Sequence, residues 1–375
     1  MNPFSFRDYL NKTVFDRKLL RISEKILNNQ RISIDEGMAL FEKSDLGLLA
    51  FLSNHVRKTK NERKVFFNRN FHIEPTNKCI FRCKFCSYRC DLDDKNAWDL
   101  SLKDMESLLE KQGGNKSTEV HITGGVHPDR KVEYYIEVIR LIKRKFPQLQ
   151  VKAFSAIELD YIFRISGISV KDGLLLMKKA GLDSIPGGGA EIFADEIRKV
   201  ICPDKANAEK YLEIHEKAHK IGIPSNATIL YGHIESYEHR LSHLDRLRKL
   251  QDKTMGFNAF IPLKFKNKNN RLSSIAELGA VEDLKNFAIS RIFLDNFPHV
   301  KAYWPMLGKQ NAQMALAFGV DDLDGTINDS TKIYTMAGAS QDENAMSVTE
   351  LVDMIKTAGY IPVERDTFYH ELRQF

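Results

Sequence analysis

From about residue 70 onward, short runs of apolar and β-branched residues alternate with longer stretches of helical periodicity, and this alternation constrains the fold more than any other feature of the chain. The runs are FHIE (71–74), TEVHIT (118–123), VKAFS (151–155), LDSIP (182–186), SNATIL (225–230), GFNAFIP (256–262), HVKAYW (299–304) and GVDDL (319–323). Strands separated by helix-length segments build a parallel sheet rather than hairpins. Eight such units fit a closed (β/α)8 TIM-like barrel better than an open doubly wound sheet, and a barrel needs no domain boundary inside residues 70–330.

Helix starts between the runs carry a serine followed three residues later by an acid: Ser101 with Asp104, Ser169 with Asp172 and Ser347 with Glu350. The same spacing at Ser33 and Glu36 precedes the barrel, where residues 1–66 read as a helical N-terminal extension. The barrel then spans 67–345, and 346–375 reads as a helix and a short strand that close it. The polar stretch from Asp324 to Glu343 reads as a mobile loop near the barrel mouth.

Composition narrows the function. No run of about 18 apolar residues exists that could span a bilayer, so no membrane association is expected. The sequence MNPFSFRDYLNKTVFDRKLL carries charges throughout and lacks the apolar core of a secretory signal, which points to the cytoplasm. The net charge of +6 is spread in local runs such as Lys264-Phe265-Lys266-Asn267-Lys268, which favours anionic small-molecule substrates over nucleic acid.

Three of the five cysteines crowd into PTNKCIFRCKFCSYRC, directly after the first strand run. Cys79, Cys83 and Cys86 have C-x3-C-x2-C spacing, and three thiolates on one loop can hold three irons of a 4Fe–4S cluster while the fourth iron stays open. Structural zinc normally takes four ligands in paired C-x2-C groups, and no second pair follows. Cys90 reads as a bystander thiol.

The spacing with Phe85 in the aromatic slot resembles the signature of the radical S-adenosylmethionine superfamily. That resemblance implies a 4Fe–4S cluster whose open iron binds S-adenosylmethionine and passes it an electron, homolysis then giving a 5′-deoxyadenosyl radical. It also implies an electron donor such as flavodoxin or ferredoxin. Phe85 would pack near the adenine, and Gly124 and Gly125, at the end of TEVHIT, would hold the methionine amine. Ser155 and Glu158 follow the third strand run, and Glu158 would contact the cofactor's ribose or amine, or form a surface ion pair.

Three further segments, GLDSIPGGGAEIF (181–193), AHKIGIPSNATILYGHIES (218–236) and HRLSHLDRLRKLQDKTMGFNAFIPLKF (239–265), are similar to the futalosine-pathway enzymes of menaquinone biosynthesis and to deazaflavin-forming synthases. SNATILYGH and FIPL most resemble aminofutalosine synthase. The family reaction joins the adenosyl group to 3-[(1-carboxyvinyl)oxy]benzoate, and rearrangement with loss of the carboxylate carbon gives 6-amino-6-deoxyfutalosine. The alternatives are the cyclic dehypoxanthinyl futalosine synthase and a deazaflavin-type synthase.

A substrate with two carboxylates needs donors around it, and Asn226, Thr228, Tyr231 and His233 come from the fifth strand run. His233 is either a proton donor or acceptor near the reacting centre or a partner for a neighbouring loop. Arg198, after the glycines 187–189, is either a bidentate partner for a carboxylate or an exposed helix residue. The continuation KFKNKNN after FIPL is more basic than the family pattern, which leaves its effect on the pocket open.

Overall fold

The computed structural model describes residues 10, 14, 16–114, 116–328, 330–339 and 344–375. Strands β1 (Lys64–Asn68) and β2 (Asn70–Ile73) form one long first strand with an irregularity at Arg69, whose carbonyl accepts from the Thr118 and Glu119 amides. β2 pairs in parallel with β3 (Glu119–Ile122), and β3 with β4 (Gln150–Ala153). The segment 184–185 continues the sheet by single bridges, Ser184 to Lys152 and Ile185 to Ser225. Beyond it, β5 (Ser225–Tyr231), β6 (Phe257–Lys264) and β7 (His299–Val300) pair in turn. Lys301 bridges Asp322 in β8 (Asp322–Gly325), and β8 pairs with β1, which closes an eight-stranded parallel barrel.

All eight runs therefore reach the barrel wall, although two are shorter than the sequence suggests. LDSIP makes only bridges because Pro186 ends its pairing without an N–H to donate. HVKAYW gives a two-residue strand because Trp304–Leu307 turns into helix with Pro305 at its start. β5 is buried along its whole length, as expected of a parallel strand with helices outside and a filled barrel inside.

Serines cap the helices as their spacing predicts. Ser101 with Asp104 and Ser347 with Glu350 form reciprocal capping boxes, and Ser169 accepts the Asp172 amide. Helices Arg17–Leu27, Ile34–Lys43 and Leu46–Asn61 precede the barrel, and the latter two pack on its outer helices Tyr237–Thr254 and Ala280–Phe293.

Three segments depart from the sequence reading. β1 lies partly inside the stretch read as helical, because KVFFN follows the helix Leu46–Asn61 with almost no break. The polar stretch from Asp324 starts in β8 and includes a helical turn at Ile333–Met336, while residues 340–343 lie outside the described residues. The tail is the helix Val348–Thr357 and two strands, β9 (Ile361–Arg365) beside β1 and β10 (Glu371–Gln374) antiparallel to β9. Thr367 then bonds to Gln150, Ser184 and Glu119, so the tail crosses the N-terminal end of the barrel, opposite the cysteines.

Candidate active site in the barrel

The chain leaves β2 through Glu74 and Pro75 into the cysteine-bearing loop. That loop has little regular structure yet is held at many points. The Cys79 amide donates to the Cys90 carbonyl (3.2 Å), Cys90 to Asn77 (2.8 Å), Ile80 to Val126 (3.1 Å) and Lys84 to Ile201 (2.8 Å). Cys79, Cys83, Cys86 and Phe85 all line one cavity at the C-terminal end of the strands, where barrel enzymes place their chemistry. Cys90 is not in its wall, and its sulfur accepts from Asn77 Nδ2 at 3.2 Å.

Three thiols from one loop on a single cavity wall suit a cubane cluster, which takes one thiolate per iron. Burial pushes the Cys83 and Cys86 thiols up from their usual range, so iron would bind with release of their protons.

The wall beside the cysteines is shaped by missing side chains. The Gly125 amide donates to the Thr76 carbonyl (2.7 Å), and a Cβ on Gly125 would collide with the Lys78 carbonyl. A Cβ on Gly124 would stand 2.8 Å from Thr76 O. Next to them Glu158 caps its own helix: one carboxylate oxygen accepts from Ser155 N (2.7 Å), Ser155 Oγ (2.7 Å) and Thr123 Oγ1 (3.1 Å). Burial raises the Glu158 carboxyl above its usual value, although these donors oppose the rise. The carboxylate lines the cavity and is not on the surface, so the surface ion pair considered from sequence does not form. Lys205 lies over the Phe85 ring (5.3 Å) and pairs with Glu191 (2.6 Å).

The floor is built differently. Glu119 and His121 of β3, Lys152 of β4, Lys301 after β7 and Asp324 of β8 all reach the same cavity. Lys152 pairs with Glu119 (2.6 Å) and Lys301 with Asp324 (2.5 Å). Burial would raise the Glu119 carboxyl, but the cations of Lys152, Arg365 and Lys301 together outweigh it and hold the group down to about 2. Each ammonium has three donors, so donors remain for a ligand. His121 Nε2 is buried with no hydrogen-bond partner, and the same holds for His72 Nε2 in the neighbouring ring (4.6 Å between centroids).

Three residues singled out from sequence are not brought to this cavity. Arg198 spends its guanidinium on the carbonyls of Ala190 (2.6 Å), Ile192 (3.1 Å) and Ala206, fixing the loop after the glycines instead of meeting a carboxylate. The Tyr231 hydroxyl, fully buried, donates to Asp283 (2.9 Å). His233 receives the Ile234 amide on Nδ1 (2.7 Å) and lies 3.1 Å from the Leu230 carbonyl through Nε2, so it holds a neighbouring turn. Asn226 and Thr228 do line the cavity. Sequence reasoning missed the floor, whose signal was a charged residue inside an apolar strand run: Glu119 in TEVHIT, Lys152 in VKAFS and Lys301 in HVKAYW.

A barrel with this thiol loop at the mouth of its cavity is the architecture of radical S-adenosylmethionine enzymes. Residues 73–247 match the Radical SAM superfamily, and residues 254–374 match the CofH/MqnC C-terminal region; the chain belongs to this family. It is 42% identical over 364 residues to aminodeoxyfutalosine synthase of Thermus thermophilus, covering 96% of this chain and 97% of that one. Against the aminodeoxyfutalosine synthase of Streptomyces coelicolor the identity is 39%, with 94% of each covered, and against the cyclic dehypoxanthine futalosine synthase of the same organism 36%, with 91% and 86% covered. The fold is shared with methylornithine synthase (PylB), at a TM-score of 0.72 and 15% identity over 91% of this chain and 97% of that one. The cofactors are a 4Fe–4S cluster and S-adenosylmethionine. No described helix is long and apolar enough to cross a membrane.

Proposed function

We propose that this chain acts as an aminodeoxyfutalosine synthase, adding the 5′-deoxyadenosyl group of S-adenosylmethionine to the enol-ether carbon of 3-[(1-carboxyvinyl)oxy]benzoate, with aryl migration and loss of a carboxylate carbon. The observation that carries the choice of reaction is the 42% identity across nearly the whole of both chains to the Thermus enzyme of that name. The cavity supports it, because its two ends suit two different ligands.

When bound, the cluster held by Cys79, Cys83 and Cys86 supplies the electron that splits the sulfonium. Phe85, Gly124 and Gly125 shape the space for the nucleotide and its methionine, and Ser155 with Glu158 offers an acceptor beside that space. At the floor, Lys152, Lys301 and His121 supply donors for substrate carboxylates, and burial of the two lysines strengthens their contacts. Arg198, Tyr231 and His233 act as positioning residues behind the wall. Fixing the two reactants and excluding water is most of what the protein must do for a radical addition. The cluster's need for reducing surroundings supports a cytoplasmic location.

Anaerobic incubation of cluster-loaded protein with dithionite, S-adenosylmethionine and the enolpyruvyl benzoate should yield aminodeoxyfutalosine and methionine in equal amounts. If 5′-deoxyadenosine is the sole nucleoside product, the reaction is hydrogen abstraction and the proposal is wrong.

A further inference from the structure

The basic segment after β6 has no part in the reaction above. It turns back along the outside of the cysteine loop: the Arg271 amide donates to the Lys84 carbonyl (2.8 Å), and Ser87 Oγ donates to the Lys268 carbonyl (2.7 Å). Between the two segments lies a second pocket, open to the outer face, whose wall includes Cys83, Cys86, Arg82, Arg89 and Arg271. Cys83 and Cys86 also line the inner cavity, so these two residues form the partition between the reaction chamber and the protein's exterior.

The charge around that partition is positive. Arg82, Lys268 and Arg271 are exposed, and Arg89 is partly buried. An opposing acid beside the pocket is Asp91, which Arg89 engages directly and which stands 3.9 Å from Arg82. Lys266, nearer the barrel, is neutralised by Glu277 (3.0 Å).

We propose that this face is the docking surface for a small acidic one-electron carrier protein, which passes its electron to the cluster across the Cys83–Cys86 edge. The inference rests on the cluster assignment above and is independent of which substrate is used. One electron leaves the carrier and one enters the cluster; no atom moves. A donor must approach this closely because electron transfer slows steeply with distance, and a basic rim steers an acidic partner to the spot and orients it.

The test uses cluster-loaded enzyme and a purified flavodoxin in its fully reduced form, with cluster reduction followed by its loss of visible absorbance. In the unaltered protein the second-order rate should fall as salt is added. Lys268→Glu/Arg271→Glu, both off the cysteine run, should lower that rate about tenfold at low ionic strength and flatten its salt dependence. Arg82→Gln, on the opposite rim, should move it in the same direction by about two- to threefold. Iron content and turnover under saturating dithionite should stay unchanged in Lys268→Glu/Arg271→Glu. A flavodoxin rate indifferent to salt and to both variants overturns the proposal, as does an equal loss with dithionite. Since the product assay runs on dithionite, failure here leaves the proposed reaction standing, and the reverse also holds.

Discussion

At its mouth the cavity is walled chiefly by one contiguous loop, Cys79 to Arg89, and by two glycines, with a single charged pair, Lys205 and Glu191, whereas its floor takes charged side chains from β3, β4, β8 and the residue after β7. The mouth fits its ligand through sulfur, backbone and the absence of side chains, so it is sensitive to added atoms. The floor works through buried charges in pairs, so it is sensitive to removed ones: an ion left without its partner in a dry interior costs about 3–5 kcal/mol. Chemistry at the mouth and stability at the floor should therefore separate on mutation.

The sharpest separation comes from the thiols. Cys79→Ala, Cys83→Ala and Cys86→Ala should each abolish turnover while circular dichroism shows the barrel retained; full activity in any one breaks the three-ligand assignment. At the floor, Lys301→Met removes the ammonium that stands 2.5 Å from Asp324, while Asp322 keeps Arg365, and should cost about 3–5 kcal/mol in urea unfolding. Lys301→Met/Asp324→Leu should recover most of that loss without recovering substrate affinity, and failure to recover would mean the pair is not the unit of stability.

The two ends should also respond to pH with opposite sign. Glu74 anchors the segment that roofs the cavity, accepting from Thr331 Oγ1 (2.8 Å) and the amides of Lys332 and Ile333. Burial pushes its carboxyl up to about 7, above the unfolded value, so between about 4.5 and 7 the unfolded chain ionises first and stability falls as pH rises. His72 at the floor is pushed by burial down to about 4, so between about 6.5 and 4 the unfolded chain takes the proton first and stability falls as pH drops. Glu74→Gln and His72→Gln should remove these two slopes separately, each worth about 3 kcal/mol at about 1.4 kcal/mol per pH unit, in denaturant midpoints measured from pH 4 to 8. Like slopes from the two variants would contradict the difference in environment.

The smallest expected effect is Gly125→Ala. Its methyl group would displace the Lys78 carbonyl, raising the KM for S-adenosylmethionine about tenfold while iron content stays unchanged. An unaltered KM would mean the glycine serves only the loop's fold.

Much of this was legible before any coordinates. The eight strand runs, the serine caps and the cysteine spacing are local signals, each complete within a few neighbouring residues. A short strand in the tail was legible, but its partner and the second strand were not, because β9 pairs with β1, some 300 residues earlier, and β10 forms only against β9. Arg198, Tyr231 and His233 looked catalytic because polar residues near a barrel rim are candidates, yet their polar atoms are taken up by carbonyls, Asp283 and a backbone turn. Lys152 and Lys301 were overlooked because each stands alone within an apolar run and shows its purpose only beside a carboxylate from another strand.

The amino-acid sequence by itself determined that a parallel barrel would form and that three thiols would stand on the loop after its first strand, since strand periodicity and ligand spacing need only chain continuity. Which side chains meet inside was decided by tertiary structure alone. Closure of the barrel and the register of its strands bring Glu119, Lys152, Lys301 and Asp324 into one buried space, and the fold of the basic segment against the cysteine loop sets Arg271 beside Cys83 and Cys86. Burial then sets the charges of those groups, because removal from water favours ionised forms only where a partner from a distant part of the chain has been delivered to them.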